Sequence, residues 1–257
     1  MRIYTNAYEL MSEMGRNLWE MGLENKPKTY QNKDISNNED FVTKELICEQ
    51  YCLTSIPDVD NLFIHTHSRD WAEAEFKERL DPGMVNPGEA WKLRKEVWEE
   101  FLVAYGDKEM FDYTYGERMN RTFHFENAFF DKYCTALGTV ISLLRHDPDT
   151  RKAILPIYSD LDTGYLDGSS RIPCSMYYDF LIRTNPRGEK QLNICYHQRS
   201  SDFIMHFGND VFLAWKLMEY VAEQVGVKPG YLYHTIDSLH TYKRDWDKLK
   251  TSLTELK

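Results

Sequence analysis

The sequence predicts a single α+β domain in which a mixed sheet is packed by helices, and three observations carry that prediction. Apolar side chains recur at helical spacing in three separate stretches. Three short runs rich in β-branched and aromatic residues fall between positions 153 and 197. The two kinds of element interleave without the regular strand–helix alternation of a doubly wound parallel sheet. A chain of 257 residues is long enough for one sizeable core, and no internal repeat divides it. The expected organisation is one domain over 1–257 with an insertion around 77–110.

In chain order, residues 5–24 place Tyr8, Met11, Met14, Leu18 and Met21 at the spacing of a helix face. Residues 81–88 (DPGMVNPG) are turn chemistry and read as a loop between helices. A second helix is predicted over 127–144, with Phe130, Tyr133, Leu137, Ile141 and Leu144 on one stripe and Asp147-Pro148 as the stop. Strands are predicted at 153–158 (AILPIY), 176–183 (MYYDFLIR) and 191–197 (QLNICYH), with Asn185-Pro186-Arg187-Gly188 turning between the last two. A third helix, 210–225, carries Val211, Ala214, Met218, Val221 and Val225, and Gly226 with Pro229-Gly230 ends it.

Charge narrows the function classes. With 31 basic against 41 acidic residues the net charge is −10, which disfavours a general nucleic-acid binder. It leaves room for a small phosphorylated ligand, for which one local group of arginines suffices. No apolar run is long enough to span a bilayer, and the first 25 residues mix charged with apolar side chains unlike a signal peptide. Five irregularly spaced cysteines suit a reducing compartment better than a disulfide framework. The expectation is an acidic cytoplasmic enzyme or binding domain that meets neither membrane nor nucleic acid.

Several short segments carry reactive side chains. Cys174 lies in Ile172-Pro173-Cys174-Ser175 directly before a strand-like run; a lone cysteine is more often buried and inert than reactive. A phosphatase-type cysteine is followed by an arginine after a five-residue loop, and Phe180 occupies that position. In His197-Gln198-Arg199-Ser200-Ser201-Asp202, an arginine beside two hydroxyls suits a phosphate clamp, with a solvated strand end as the plain alternative. Asp149-Thr150-Arg151-Lys152 is a second basic pair, or a surface turn. Asp210 opens the third predicted helix, where an N-cap is the structural alternative. His240 and Tyr242 stand two residues apart on an extended segment, so they share a face and can grip one hydroxyl.

Together and in this order, these segments resemble the thymidylate synthase superfamily from about residue 110 to 245. The matched elements are the Pro-Cys nucleophile, the Gln-Arg-Ser-x-Asp segment, a recognition residue opening a helix, and His-x-Tyr near the C-terminus. The resemblance implies a thymidylate-synthase-like mixed sheet and a pyrimidine nucleoside monophosphate as substrate. It implies 5,10-methylenetetrahydrofolate as co-substrate, no metal, and a homodimer with shared active sites. Cys174 would add to carbon 6 of the pyrimidine and make carbon 5 nucleophilic. Arg199 and Ser200 would hold the 5′-phosphate, with Arg151 and Lys152 reaching it from the other subunit and Lys28 as an N-terminal contact. His240 and Tyr242 would bind the sugar hydroxyl. Asp202 would face folate and base, Tyr115 would be the active-site tyrosine, Glu45 the carboxylate that organises proton transfer, and Trp71 the folate-stacking tryptophan.

Two departures refine the expected reaction. Thymidylate synthases place asparagine where Asp210 stands, to pair with uracil. Cytosine presents an exocyclic amine instead, which a carboxylate accepts, and the resemblance is closest to deoxycytidylate 5-hydroxymethylases. Only about fifteen residues follow Tyr242, so the C-terminal segment that closes the family's methylating site is expected to be missing, leaving water access. Asp179 and Ser175 also replace residues usual in the family. The expectation is therefore a hydroxymethyltransferase acting on dCMP or CMP. The rivals are a thymidylate synthase or dUMP hydroxymethylase, and a catalytically idle nucleotide-binding homologue.

Overall fold

The computed structural model describes residues 1–30, 33–123, 134–165 and 171–255. Eight strands make the main sheet: β1 (Arg2–Tyr4), β2 (Leu23–Asn25), β3 (Thr43–Leu53), β4 (Ile154–Pro156), β5 (Ser175–Thr184), β6 (Lys190–Gln198), β7 (Ser201–Asp202) and β8 (Lys228–Tyr242). Across it the order is β1-β3-β8-β6-β5-β4, with β2 beside β3 and β7 beside β8. The sheet is mixed: β1/β3, β6/β8 and β7/β8 are parallel, and the remaining pairs antiparallel. The helices are α1 (Ala7–Met21), α2 (Arg69–Leu80), α3 (Lys95–Trp98), α4 (Tyr115–Met119), α5 (Ala136–His146), α6 (Gly208–Val225) and α7 (Trp246–Glu255). This is the α+β architecture expected, and none of the described helices is long and apolar enough to cross a membrane.

Strand alternation splits the sheet into two chemically distinct faces. One face carries Phe180, Ile194, Leu232 and Leu53 in register across β5, β6, β8 and β3, all buried in the main core with Leu10, Met14 and Leu18 of α1 and Val211, Ala214 and Met218 of α6. A parallel row on that face is aromatic: Tyr178, Tyr196 and His234 stack at 4.4 Å spacing, and Tyr51 continues the row. The other face carries Ile154, Asp179, Cys195, Tyr233, Cys52 and Ile3 in register, and its aromatic residues Tyr177 and Tyr231 remain exposed.

The predicted helices are shifted for identifiable reasons. The first runs Ala7–Met21 because the Asn6 side chain accepts from the Glu9 amide (2.8 Å) and sets its start. The second is Ala136–His146, capped by Thr135; the predicted residues 127–133, with Phe130 and Tyr133, lie outside the described residues. The third begins at Gly208, after a π-helical turn at Phe203–Phe207. Asp202 caps that turn, its Oδ1 accepting from the amides of Ile204 (3.0 Å) and Met205 (3.2 Å). Asp210 therefore sits inside the first turn of α6 and is not its N-cap. Gly208 has no room for a side chain: a Cβ there would stand 1.7 Å from the Leu62 carbonyl, so α6 presses directly on the 59–63 turn. At the far end Gly226, at φ +76°, supplies the expected left-handed cap.

Candidate active site

Where β7 and β8 meet the start of α6, the sheet opens into a cavity of about 480 Å³, a volume suited to small-molecule ligands. Cys174, Glu45, Tyr115, Asp202, Asp210, Arg199, Ser200, His240, Tyr242 and Trp71 all line it. Arg151, Lys152 and Lys28 do not: each is exposed, although Pro27 and Thr29 on either side of Lys28 reach the rim.

Cys174 ends a short loop that feeds β5, and Arg199 anchors that loop. The Arg199 amide donates to the Cys174 carbonyl (2.9 Å), while its Nε and Nη2 donate to the carbonyls of Pro173 (2.9 Å) and Ile172 (3.0 Å). Burial pushes the Cys174 thiol up, and the guanidinium groups of Arg199 and Arg171 oppose that rise. Burial thus favours the thiol, and the two cations favour the thiolate that a nucleophile requires. Tyr115 opens α4 behind a Thr114–Glu117 capping box, with the Arg79 guanidinium 4.1 Å from its ring centre. Its hydroxyl lies 3.4 Å from Ser175 Oγ, which is 2.6 Å from Tyr196 Oη.

Asp210 closes the floor of the cavity. Its Oδ2 accepts from Gln198 Nε2 (3.0 Å) and Ser201 Oγ (2.8 Å). Gln198 Oε1 in turn meets His234 Nε2 (2.8 Å), and His234 Nδ1 meets the Tyr51 hydroxyl (2.8 Å). Burial drives the His234 pKa down to about 3, so the ring is neutral, with Nε2 donating and Nδ1 accepting. Every proton in the Tyr51–His234–Gln198 chain then points toward Asp210, which fixes Oδ2 as an acceptor. Burial also raises the Asp210 carboxyl, and its two hydrogen bonds limit that rise.

At the opposite wall, His240 and Tyr242 share a face of β8 as their spacing predicts, with ring centres 5.1 Å apart. His240 Nδ1 lies 3.5 Å from Ser200 Oγ. Asp202 pairs with His240 in register across β7 and β8, and burial raises its carboxyl while His240 opposes the rise. Glu45 stands beside them, its carboxylate taken by the Ser238 hydroxyl.

Several cavity residues escape a sequence reading. Glu75, on α2, holds Arg79 (2.8 Å) and through it reaches the Tyr115 ring. Trp98, Trp91 and Arg171 join Trp71, whose ring stacks on Trp98 at 5.7 Å. A Glu–Arg pair four residues apart near a tryptophan was the only available signal for α2. Among the described residues no group of His, Cys, Asp or Glu could hold a metal ion.

The mixed sheet, the Pro-Cys loop and the Gln198–Asp202 segment define a thymidylate-synthase-type protein. A thermostable thymidylate synthase A from Bacillus subtilis has the same fold, with a TM-score of 0.69 over 97% of this chain and 84% of that one, at 17% identity. The chain belongs to the thymidylate synthase family, whose model ("Thymidylate synthase") matches residues 89–257. A Methanosarcina barkeri protein named "Putative thymidylate synthase" is 32% identical over 163 residues, 63% of this chain and 67% of that protein. The deoxyuridylate hydroxymethyltransferase of Bacillus phage SP01 is 30% identical over 170 residues, 61% of this chain and 42% of the phage protein. Members of the family are folate-dependent one-carbon transferases that use methylenetetrahydrofolate, and they are generally dimeric.

Proposed function

We propose that this chain is a cytoplasmic hydroxymethyltransferase acting on carbon 5 of a cytidylate, dCMP or CMP. It converts the nucleotide, 5,10-methylenetetrahydrofolate and water into the 5-hydroxymethyl nucleotide and tetrahydrofolate. The folate supplies the carbon at the oxidation level of formaldehyde, so no hydride transfer is required. Cys174 adds to carbon 6, which places negative charge on carbon 5 for attack on the one-carbon unit, and leaves when the product forms. Arg199 stabilises the thiolate on each side of that cycle and, with Ser200, holds the phosphate. His240 and Tyr242 take the sugar hydroxyl, and Asp202 and Trp71 face the folate. For proton handling near the base, Glu75 is better placed than Glu45: it reaches Tyr115 through Arg79, whereas Glu45 is held by Ser238 beside His240.

The observation that carries the choice of base is Asp210. With Oδ2 held by two donors, Asp210, which lines the cavity, keeps Oδ1 to accept from the cytosine amine; uracil would set its O4 carbonyl against the same oxygen. Incubation with methylenetetrahydrofolate and each of dCMP, CMP, dUMP and UMP, read by mass spectrometry, tests the reading. A gain of the mass of CH₂O on a cytidylate is expected, and a gain of CH₂ on dUMP would replace it with thymidylate synthesis. The SP01 relative favours a second reading, hydroxymethylation of dUMP, which the same experiment separates. Free cysteines at all five positions support the cytoplasmic assignment. The sheet face bearing the exposed Tyr177 and Tyr231 suits a second copy of the chain, which would bring its own Arg151 and Lys152.

A further inference from the structure

Among the described residues, the cavity contains a cation with no counter-charge. Arg171 is only 8% exposed yet lines the cavity, its guanidinium 4.3 Å from the ring centre of Phe101 and 5.5 Å from those of Trp98 and Tyr113. Its Nε has no hydrogen-bond partner, and among the described residues no carboxylate pairs with the group. Asp112 reaches only the Arg171 main-chain amide, at 3.0 Å. Ring faces attract a guanidinium but replace only part of its lost hydration, and buried charges are as a rule paired. A cationic side chain left unpaired inside a ligand cavity awaits an anion from the ligand.

Arg199, between β6 and β7, anchors the loop that carries Arg171. Its Nε and Nη2 are engaged by the carbonyls of Pro173 and Ile172, the residues that follow Arg171, which leaves Nη1 uncommitted. Arg199 thus binds the carbonyl of the residue next to Arg171, and both arginines line the cavity with Cys174 and Ser200. We propose that Arg171 joins Arg199 and Ser200 at the nucleotide's phosphate and gives that site its second cation. This rests on the nucleotide reading above. Charge favours the phosphate over a folate carboxylate: a phosphate monoester carries roughly −1.5 to −2 at neutral pH, matching two cations, whereas one carboxylate matches one.

Calorimetric titration of wild type, Arg171→Gln and Arg171→Lys with the four nucleotides, the matching nucleosides, inorganic phosphate and tetrahydrofolate tests the site. Arg171→Gln is expected to weaken nucleotide binding at least tenfold while nucleoside and folate affinities hold. It should also abolish any rise in melting temperature caused by inorganic phosphate, and Arg171→Lys should recover part of both. Without ligand, Arg171→Gln should melt no lower than wild type, because an unpaired buried charge has been removed. Equal weakening of nucleotide and nucleoside overturns the proposal, as does weakening of folate alone, which would assign the guanidinium to a folate carboxylate. A wild type that prefers uridylates removes the cytidylate reading and leaves the phosphate comparison intact. If wild type binds no nucleotide, inorganic phosphate decides: protection lost in Arg171→Gln sustains the site, and equal protection of both proteins refutes it.

Discussion

The two ends of the cavity are built on opposite plans. At the Asp210 end each polar group has a partner: Ser201 and Gln198 hold the carboxylate, His234 holds Gln198, and Tyr51 holds His234. At the aromatic end the indole NH groups of Trp71, Trp91 and Trp98 are buried without partners. Buried polar groups left unsatisfied cost about 1–3 kcal/mol each, and these three tryptophans line the cavity, where a ligand can supply partners. The first end is set before substrate arrives and reads one chemical edge. The second is set by what enters, which suits a large, flat co-substrate.

The strongest way to break the comparison is at the midpoint between the ends. Cys174→Ala should abolish turnover while nucleotide binding, measured by calorimetry, survives; full residual activity would remove covalent catalysis from the mechanism. Next, Asp210→Asn should move base preference from dCMP toward dUMP, at least tenfold in the ratio of kcat/KM, because an amide NH then faces the base. His234→Leu strikes the same end from behind. It orphans Gln198 Oε1 and should lower unfolding free energy by roughly 1–3 kcal/mol in a denaturant titration, with loss of base discrimination. Trp98→Leu should act differently, since its NH has no bond to lose. It is expected to raise the KM for folate while base preference stays as in wild type.

The smallest effect is graded with pH. Burial lowers the pKa of His206 and His234 to about 3 and of His65 to about 4. Each is depressed below its unfolded value near 6.5. Their stabilisation is therefore present above pH 6.5 and is lost as pH falls toward the folded values, at about 1.4 kcal/mol per unit for each histidine. Asp202 and Asp210 work in the other direction, because burial raises their carboxyls and protonation at low pH relieves a buried charge. Melting temperatures between pH 7 and 5 should fall with acidification, and less steeply in a His234→Gln variant; an unchanged slope would show that His234 does not titrate with unfolding.

The same two ends differ in how far they could be read from sequence. Arg199, Ser200, Asp202 and Asp210 are near neighbours in the chain, and His240 and Tyr242 announce themselves by strand alternation, so this half of the site was legible. Arg171, Glu75 and Trp98 were not. They come from three separated segments, α2, α3 and the loop before β5, and nothing local marks them as facing one cavity. The mixed sheet followed from the interleaved elements, but β3 was missed because Thr43–Leu53 alternates lysine, glutamate and cysteine with few strong strand formers. Asp210 was read as a possible cap because the π-helical turn capped by Asp202, which moves the start of α6 back to Gly208, leaves no periodic signature.

The fixed proton order behind Asp210 has a consequence for descent. An asparagine in its place can offer its carbonyl to Gln198 and Ser201 and turn its amide to the base, so no other side chain has to rotate. Aspartate and asparagine codons differ by a single transition. On the proposed reading of Asp210, the choice between the two pyrimidine letters is therefore one point mutation deep, and lineages can cross it in either direction without rebuilding the fold.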